Sequence, residues 1–313
     1  MTEPATPEIS IVVPMHNEEK NVRPLYEELT PVLARLGRSY EILFINDGST
    51  DGTLAEMLAL VKQDPRFAAV EHDGNFGEAG GLSSGFATAR GQIIVTMDGD
   101  LQNNPADLPR LLEKIDGGWR VVSGWRQKRQ ESFWSRRLPS VIGNWLIAHI
   151  SGVPVHDTGC SLKAYRRDVV HGQNIPRGFQ RFVPAVFGVR RREVTELRVE
   201  DRARKHGRSH YGLKRTFEVL RELTAIWFIN RNPKLFAKLM PIGCVLGLGM
   251  LVAAWAAPMS IAWRAVLGVA GALVGAASAV STWDIRRYNR AQIDKVYKIK
   301  AVHRQAPPEG YSQ

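Results

Sequence analysis

The sequence is poor in cysteine and lacks the commonest nucleotide-binding motifs. Its 313 residues include only two cysteines, Cys160 and Cys244, which lie far apart. This excludes a disulfide framework and a zinc-ligand set, and it predicts that the soluble part faces a reducing compartment. Residues 1–8 are polar and acidic, so no secretory signal is expected before the first strand. No Walker A motif occurs, and no G-x-G-x-x-G follows the first apolar run, which disfavours a Rossmann dinucleotide site.

Charged residues are absent from two long stretches in the C-terminal third. The stretches run from Leu239 to Ala257 and from Ala265 to Trp283. Each would form a helix of roughly 28 Å, about the thickness of the hydrocarbon core of a bilayer. Glycine and alanine recur through both, as in helices that pack closely in lipid. The sequence therefore predicts two membrane spans in preference to a pair of buried soluble helices.

Positive charge is in excess, with a formal net charge of +11. Such a balance is typical of proteins that bind nucleic acid, an anionic membrane surface or phosphorylated ligands. The two apolar stretches favour the membrane, and no nucleic-acid partner is expected. Lysine and arginine flank the pair on its outer sides, whereas the short connection carries only Arg264. By the positive-inside rule, both ends and the preceding domain lie in the cytoplasm, and the protein is a multi-pass protein of the cytoplasmic membrane.

Apolar runs alternate with amphipathic segments through the first 124 residues. Strands are predicted at Ile9–Pro14, Tyr40–Asn46, Ala68–Glu71 and Arg120–Gly124, with another that begins at Ile93. Segments of helical spacing separate them. This alternation predicts an α/β fold with a mostly parallel sheet covered on both faces.

Acidic residues follow the strands where their carboxyl ends would meet. Asp98 and Asp100 leave the strand at Ile93, and Gln102 lies two residues further on. Oxygen ligands at this spacing can share a hard divalent ion such as Mg²⁺ or Mn²⁺ with a diphosphate, although a turn of solvated acids is the simpler alternative. Glu18 and Asp47, at the ends of the first two strands, could accept hydrogen bonds from a base or a ribose.

Basic and aromatic residues dominate the chain after Gly124. An apolar stripe then recurs at helical spacing through residues 138–150. With its tryptophan and neighbouring arginines, this stripe predicts a helix in the membrane interface, and an ordinary core helix is the alternative. A second amphipathic segment, predicted at residues 213–234, leads into the spans.

Six motifs occur in an order that resembles a known enzyme family. They are IVVPMHNEE, INDGSTDGT, NFGEAGG, MDGDLQNNP, DTGCSLKAYRR and RKHGRSHYG. Followed by two spans, they resemble the family 2 glycosyltransferases that use polyprenyl phosphates, including dolichyl-phosphate mannose synthases and undecaprenyl-phosphate glucosyl- and aminoarabinose-transferases. The resemblance implies a GT-A fold and inverting, Mg²⁺- or Mn²⁺-dependent transfer of a hexosyl or pentosyl group. It also implies a nucleotide-sugar donor, UDP-linked, and a lipid acceptor such as undecaprenyl phosphate. The expected product is a lipid-linked sugar for modification of the cell envelope.

The same resemblance implies roles for individual residues. Metal binding falls to Asp100 and Gln102, and the residues that touch the reaction are Asp98, Asp100, Asp157 and Arg204. Asp157 is assigned as a base or an orienting group. The residues expected to contact the nucleotide are Pro14, Asn17, Glu18, Asp47, Gly77 and Asp98. Those expected to contact the acceptor phosphate are Arg126, Arg137, Ser140, Arg204 and Ser209.

These inferences divide the chain into four parts. They are a cytoplasmic catalytic domain at 1–212, a juxtamembrane helix at 213–234, a transmembrane hairpin at 235–284 and a basic cytoplasmic tail at 285–313. The tail sequence from residue 301 onwards is predicted to be disordered. A homo-oligomer such as a tetramer is expected. The competing functions are a processive polysaccharide synthase, disfavoured by the lack of an Arg-Trp dipeptide, and a non-catalytic membrane-anchored nucleotide-binding scaffold.

Overall fold

A computed structural model describes residues 6–126, 155–202, 221, 224–229 and 231–305. The chain divides into two compact units, of which the first combines Met1–His210 with Lys295–Gln313 and the second is Tyr211–Asp294. The division therefore falls two residues before the boundary expected at 212. The predicted interface helix at 138–150 lies outside the described residues, as does most of the predicted juxtamembrane segment before residue 224.

One eight-stranded sheet, with the order β7-β5-β6-β4-β1-β2-β3-β8, forms the centre of the first unit. The strands are β1 (Ile9–Met15), β2 (Tyr40–Asn46), β3 (Phe67–His72), β4 (Ile93–Thr96), β5 (Val121–Arg126), β6 (Lys163–Arg166), β7 (Val194–Val199) and β8 (Ile299–Arg304). Four neighbouring pairs are parallel, and the three pairs β4–β6, β5–β6 and β3–β8 are antiparallel. The predicted α/β fold with a mostly parallel sheet is confirmed.

Helices lie between successive strands of the chain. Those described in the first unit are α1 (Glu19–Arg35), α2 (Thr53–Gln63), α3 (Gly77–Thr88), α4 (Leu108–Asp116), α5 (Arg167–Val170) and α6 (Val183–Val186). Helix α1 buries Val22, Leu25, Leu29 and Leu33, a spacing of three and four residues that places them on one face. This face packs into the main hydrophobic core with the side chains of β1 and β2.

Parallel pairing brings the ends of β1, β2 and β4 to one edge of the sheet. The Asp47 backbone N–H donates to the Met15 carbonyl oxygen at 2.9 Å, and the Met97 N–H donates to the Val12 carbonyl oxygen at 3.2 Å. The three loops that follow these strands therefore begin side by side. Ligands bind at such an edge in open α/β sheets.

The C-terminal segment belongs to the sheet, which corrects the prediction of a separate basic tail. Residues 299–304 form β8, which pairs antiparallel with β3, so the expectation of disorder from residue 301 is wrong for residues 301–304. Lys300 donates to Glu71 at 2.6 Å, and Arg304 donates to Glu41 at 2.6 Å. The polar composition predicted disorder because the acidic partners of these cations lie more than 200 residues earlier in the chain.

Two long helices, α7 (Pro233–Ala256) and α8 (Ile261–Ala291), dominate the second unit. Both are long and apolar enough to cross a membrane. The helices approach closely at Gly247 and Gly271, because a Cβ atom added to Gly271 would lie 2.8 Å from the Gly247 carbonyl oxygen. The predicted hairpin at 235–284 thus corresponds to two packed helices, the second of which extends seven residues further.

Candidate active site

The loops after β1 and β2 are tied together through Asn17. The Thr50 backbone N–H donates to the Asn17 Oδ1 atom at 2.8 Å, and the Asn17 N–H donates to the Ser49 hydroxyl at 3.0 Å. Asn17 has a φ of 56°, a left-handed conformation that asparagine tolerates better than most residues. Its side chain therefore holds the second loop in place.

Glu18 immediately precedes helix α1 beside the same loop. Its backbone N–H donates to the Thr53 hydroxyl at 2.9 Å, and its carboxylate accepts from the Asn21 amide at 2.5 Å. Pro14 lies nearby in β1, where it lines a cleft. Pro14, Asn17 and Glu18 thus all lie at or after the end of β1, and their contact with a nucleotide stays a prediction.

Asp47 is buried and accepts hydrogen bonds from inside the protein. Its carboxylate accepts from the backbone N–H groups of Phe76 and Gly77, at 2.8 and 2.7 Å, and from His72 Nδ1 at 2.8 Å. The carboxylate therefore holds the N-terminus of α3 against the end of β2. Sequence analysis assigned Asp47 to the nucleotide and did not anticipate these internal donors.

Glycine is required next to Asp47. Gly48 has a φ of +66°, and a Cβ atom there would lie 2.5 Å from the carbonyl carbon of Gly74. Gly77 also has a positive φ, of +73°, as α3 begins. These glycines allow the loop after β2 to lie directly on the loop before α3.

Asp98 and Asp100 lie in the tight loop after β4. Asp100 is buried, and its Oδ1 atom accepts from the Gln102 backbone N–H at 3.1 Å. The Asp98 N–H donates to the Asn103 side chain at 3.2 Å. Desolvation of the Asp98 carboxyl, with the nearby negative charges of Glu78 and Asp100, raises its pKa to about 7. Ionising these neighbouring carboxyl groups together costs free energy, and a bound cation would reduce that cost.

This concentration of negative charge fits a divalent cation. The Gln102 amide nitrogen donates to the Arg202 carbonyl oxygen at 3.4 Å, which leaves the amide oxygen as the atom that could reach a cation. In the described part of the chain, no three His, Cys, Asp or Glu side chains form a metal-binding group. Protein oxygens from Asp100 and Gln102 therefore suit an ion that takes its other ligands from a diphosphate and water.

A cleft open to solvent lies beside Asp98. Its polar lining includes side chains that sequence analysis did not single out, namely Glu78, Lys163, Gln180 and Arg181. Lys163 is buried and donates to the Thr158 carbonyl oxygen at 3.2 Å and to that of Cys160, and burial lowers its pKa. The lysine within the DTGCSLKAYRR motif is the sequence signal that could have identified it.

Arg126 and Asp157 form a bidentate ion pair. Arg126 Nε and Nη2 donate to the two Asp157 carboxylate oxygens at 2.8 and 3.2 Å, and both side chains are largely buried. Burial lowers the pKa of Arg126, but the bonds to Asp157 outweigh this effect and raise it overall. Sequence analysis gave the two residues separate roles at the acceptor, and the structure brings them together.

Four predicted acceptor residues lie outside the described residues: Arg137, Ser140, Arg204 and Ser209. The chain that leads towards the last two is described as far as Arg202, whose backbone N–H donates to the Gln102 carbonyl oxygen at 3.0 Å. This contact, with the bridge between Asn103 and Asp201, places the end of that segment beside the acidic loop.

Cys160 is buried behind the cleft and is unsuited to nucleophilic catalysis. Burial raises the pKa of its thiol to about 11, and the negative charge of Asp157 acts in the same direction. A thiol with such a pKa is almost entirely protonated at neutral pH. Its side chain therefore packs in the core instead of reacting.

Comparison with curated proteins finds relatives over about 70% of the chain. A dodecaprenyl-phosphate galacturonate synthase from Rhizobium johnstonii is 39% identical over 228 residues, which cover 72% of this chain and 68% of the relative. An undecaprenyl-phosphate 4-deoxy-4-formamido-L-arabinose transferase from Pseudomonas aeruginosa is 35% identical over 216 residues. That match covers 69% of this chain and 63% of the relative, so it spans less than two thirds of the latter's length.

Solved structures share the fold at low sequence identity. Glucosyl-3-phosphoglycerate synthase from Mycobacterium tuberculosis, solved with Mn²⁺, UDP and glucosyl-3-phosphoglycerate, superimposes with a TM-score of 0.54 at 18% identity. The match covers 72% of this chain and 80% of the synthase. The first unit therefore has the GT-A fold.

The family model described as "Glycosyl transferase family 2" matches residues 10–172. With this match and the 39% identity to the synthase from Rhizobium, the chain belongs to glycosyl transferase family 2.

Proposed function

We propose that this protein transfers a sugar from a nucleotide sugar to a polyprenyl phosphate at the cytoplasmic face of a membrane. The observation that carries the proposal is the acidic loop after β4 beside an open cleft, in a chain that also has two helices apolar enough to span a bilayer. The named activities of the two curated relatives support a polyprenyl-phosphate acceptor. UDP is the favoured nucleotide.

Asp100 and Gln102 would hold Mg²⁺ or Mn²⁺. When bound, the cation would stabilise the charge that develops on the leaving diphosphate. Asp98 lies beside these ligands and would face the ribose or the diphosphate. Burial raises its pKa most, the charges of Glu78 and Asp100 add to this rise, and the cation would favour its ionised form. The sugar would occupy the cleft, where Glu78, Gln180 and Arg181 can meet its hydroxyl groups.

The acceptor phosphate carries its own nucleophilic oxygen. A phosphate monoester is mostly dianionic at neutral pH, so its attack on the anomeric carbon needs no general base. This favours an orienting role for Asp157, because its carboxylate is already paired with Arg126. Arg126, with Arg137, Ser140, Arg204 and Ser209, would bring this anion towards the anionic donor. Attack opposite the leaving group inverts the anomeric configuration.

The second unit would anchor the enzyme in the membrane. Helices α7 and α8 would cross the bilayer, with the flanking cations and the catalytic unit on the cytoplasmic side. Small residues along both helices also suit self-association, and a homo-oligomer such as a tetramer is part of this proposal.

The test is a transfer assay with purified full-length protein. Tritium-labelled UDP- and GDP-sugars are each incubated with undecaprenyl phosphate in detergent, with Mg²⁺, with Mn²⁺ or with EDTA. We expect a labelled lipid product from a UDP-sugar, its loss in EDTA and its return when the cation is restored. Binding of nucleotide without any lipid product from the whole panel would instead support a non-catalytic scaffold, and chains of several sugars would support a processive synthase.

A further inference from the structure

The segment that follows α8 covers the far side of the buried Asp47 cluster. Tyr297 is buried, and its ring stacks on the His72 ring with centroids 6.0 Å apart and an interplanar angle of 15°. His72 in turn bonds to Asp47 at 2.8 Å. Tyr297 is thereby linked, through His72, to the Asp47 carboxylate that holds the start of α3.

His72 is confined on every side by this cluster. Its Nδ1 atom faces the Asp47 carboxylate, which accepts hydrogen bonds, so the ring proton is assigned to Nδ1. Its Nε2 atom faces the Ser84 hydroxyl at 2.7 Å. The Phe76 ring packs edge-on at 5.5 Å between centroids, and Tyr297 covers the remaining face. The ring therefore has one orientation, in which it donates to Asp47.

Backbone contacts place the same segment against the loop before α3. The Asp73 backbone N–H donates to the Lys298 carbonyl oxygen at 2.9 Å. A Cβ atom added to Gly80 would lie 3.6 Å from the Val296 carbonyl oxygen, so the segment passes directly over the first turn of α3. Strand β8 then continues along β3.

We propose that Tyr297 and His72 are positioning residues for the predicted nucleotide site. Tyr297 holds the His72 ring, His72 orients the Asp47 carboxylate, and Asp47 fixes the Phe76 and Gly77 amides at the start of α3. Residues 295–304 thus act as a strap that completes this side of the site. Without the strap, the loop at 73–77 samples conformations in which those amides are no longer aligned. Nucleotide binding must then order the loop, which lowers the affinity.

The first experiment measures amide hydrogen exchange of the full-length protein in detergent, without ligand. We expect Tyr297→Ala to accelerate exchange of the Phe76 and Gly77 amides about tenfold, the upper end of the range for loss of an aromatic contact. Tyr297→Phe keeps the ring and should exchange like the wild type. Lys298→Ala is the control within the same segment, since its side chain is 74% exposed and its ion pair with Asp73 lies at the surface.

The second experiment measures UDP binding by calorimetry and the kinetics of transfer. This test rests on the function proposed above, which places Asp47 in a nucleotide site. Tyr297→Ala should raise both the Kd for UDP and the KM for the donor about tenfold, with kcat within about twofold. The KM for undecaprenyl phosphate should not change. His72→Asn, which keeps an N–H towards Asp47, should recover most of the affinity that His72→Leu loses.

Unchanged exchange at Phe76 and Gly77 in Tyr297→Ala would overturn the proposal, as would an equal effect of Lys298→Ala. Equal loss in kcat and in the KM of both substrates would show a general structural role and would also overturn it. A wild-type protein that binds no UDP would contradict the proposed function, while the exchange measurement would still decide whether the strap positions the loop.

Discussion

At the scale of single residues, Asp100 is the carboxylate on which the proposed chemistry most depends. It is buried in the loop after β4 and accepts from the Gln102 backbone N–H at 3.1 Å. Asp100→Asn keeps the size of the side chain but removes its charge. We expect kcat to fall at least about a hundredfold, because the leaving diphosphate would lose its cation. Initial rates with a saturating donor provide the measurement.

The control for Asp100→Asn is the same substitution at an exposed aspartate. Asp168 pairs with Arg120 at 2.7 Å, and its side chain is 64% exposed. Asp168→Asn should leave kcat within about twofold and stability within about 1 kcal/mol. Near-normal turnover in a folded Asp100→Asn variant would contradict the metal assignment.

A second residue-scale prediction concerns pH and stability at Asp64, the residue after α2. Its buried carboxylate accepts from the Tyr26 hydroxyl at 2.9 Å and from Arg66 Nε at 2.9 Å. Burial opposes ionisation, but the bonds from Arg66 and Tyr26 outweigh it and lower the pKa of Asp64 below 3.8. Because the folded-state pKa is depressed, the carboxylate stabilises the fold above that value, and the contribution disappears as pH falls through the folded-state pKa.

We therefore expect Asp64→Asn to cost about 1–3 kcal/mol at pH 7, as for other buried hydrogen-bonded groups. The difference from the wild type should shrink below pH 4. Thermal unfolding of the two proteins in detergent between pH 3 and pH 7 measures it. A difference that stayed constant across this range would show that the charge of Asp64 contributes nothing.

At the scale of elements, the contact between α7 and α8 depends on missing side chains. Gly271 has no room for a Cβ atom, which would lie 2.8 Å from the Gly247 carbonyl oxygen, whereas Gly249 on α7 has nothing within 4 Å of its Cβ position. Gly271→Leu should separate the helices and destabilise their packing by about 1–3 kcal/mol. Gly249→Leu should have little effect, since that side chain would meet open space.

Steric trapping or thermal unfolding of the second unit in detergent would compare the two glycine variants. Equal melting temperatures for Gly271→Leu and Gly249→Leu would mean that the close approach of the helices contributes no stability. The comparison needs no knowledge of the enzyme's substrates.

At the scale of the whole molecule, the second unit is inserted within the sequence of the first. Residues 295–304 return to the sheet after α8, so the first unit is built from both ends of the chain. We predict that replacing residues 221–294 by about 20 Gly/Ser residues yields a soluble first unit, because such a linker is flexible and β8 is retained. Truncation after residue 220 removes β8 and should aggregate, since the edge of β3 is then unpaired.

Size-exclusion chromatography of the two variants, expressed without detergent, tests this architecture. The linker variant should elute as a single folded species with the circular dichroism of an α/β protein. If the truncated variant were equally soluble and stable, β8 would be dispensable to the fold, and the role proposed for its segment would lose its structural basis.

Much of this fold could be predicted because its signals are local. Strand β2 follows from a continuous apolar run, helix α1 from apolar residues at spacings of three to four, and α7 and α8 from long uncharged runs. The clustering of Asn17, Asp47 and Asp98 at one edge follows from parallel connections alone. Contacts of Asp157 with Arg126 and of Asp47 with His72 were not foreseen, because residue type does not say which of many charged groups will meet.

The sequence by itself determined the order of elements through β5, the family motifs, the acidic loop and the two apolar helices, since each depends on residues close together along the chain. Only the tertiary structure decided that β8 closes the sheet beside β3 and that Tyr297 covers His72. These contacts join residues more than 200 positions apart, and their formation depends on the geometry of the assembled sheet. No local pattern encodes that geometry, because a polar strand at the edge of a sheet has the same composition as a solvated tail.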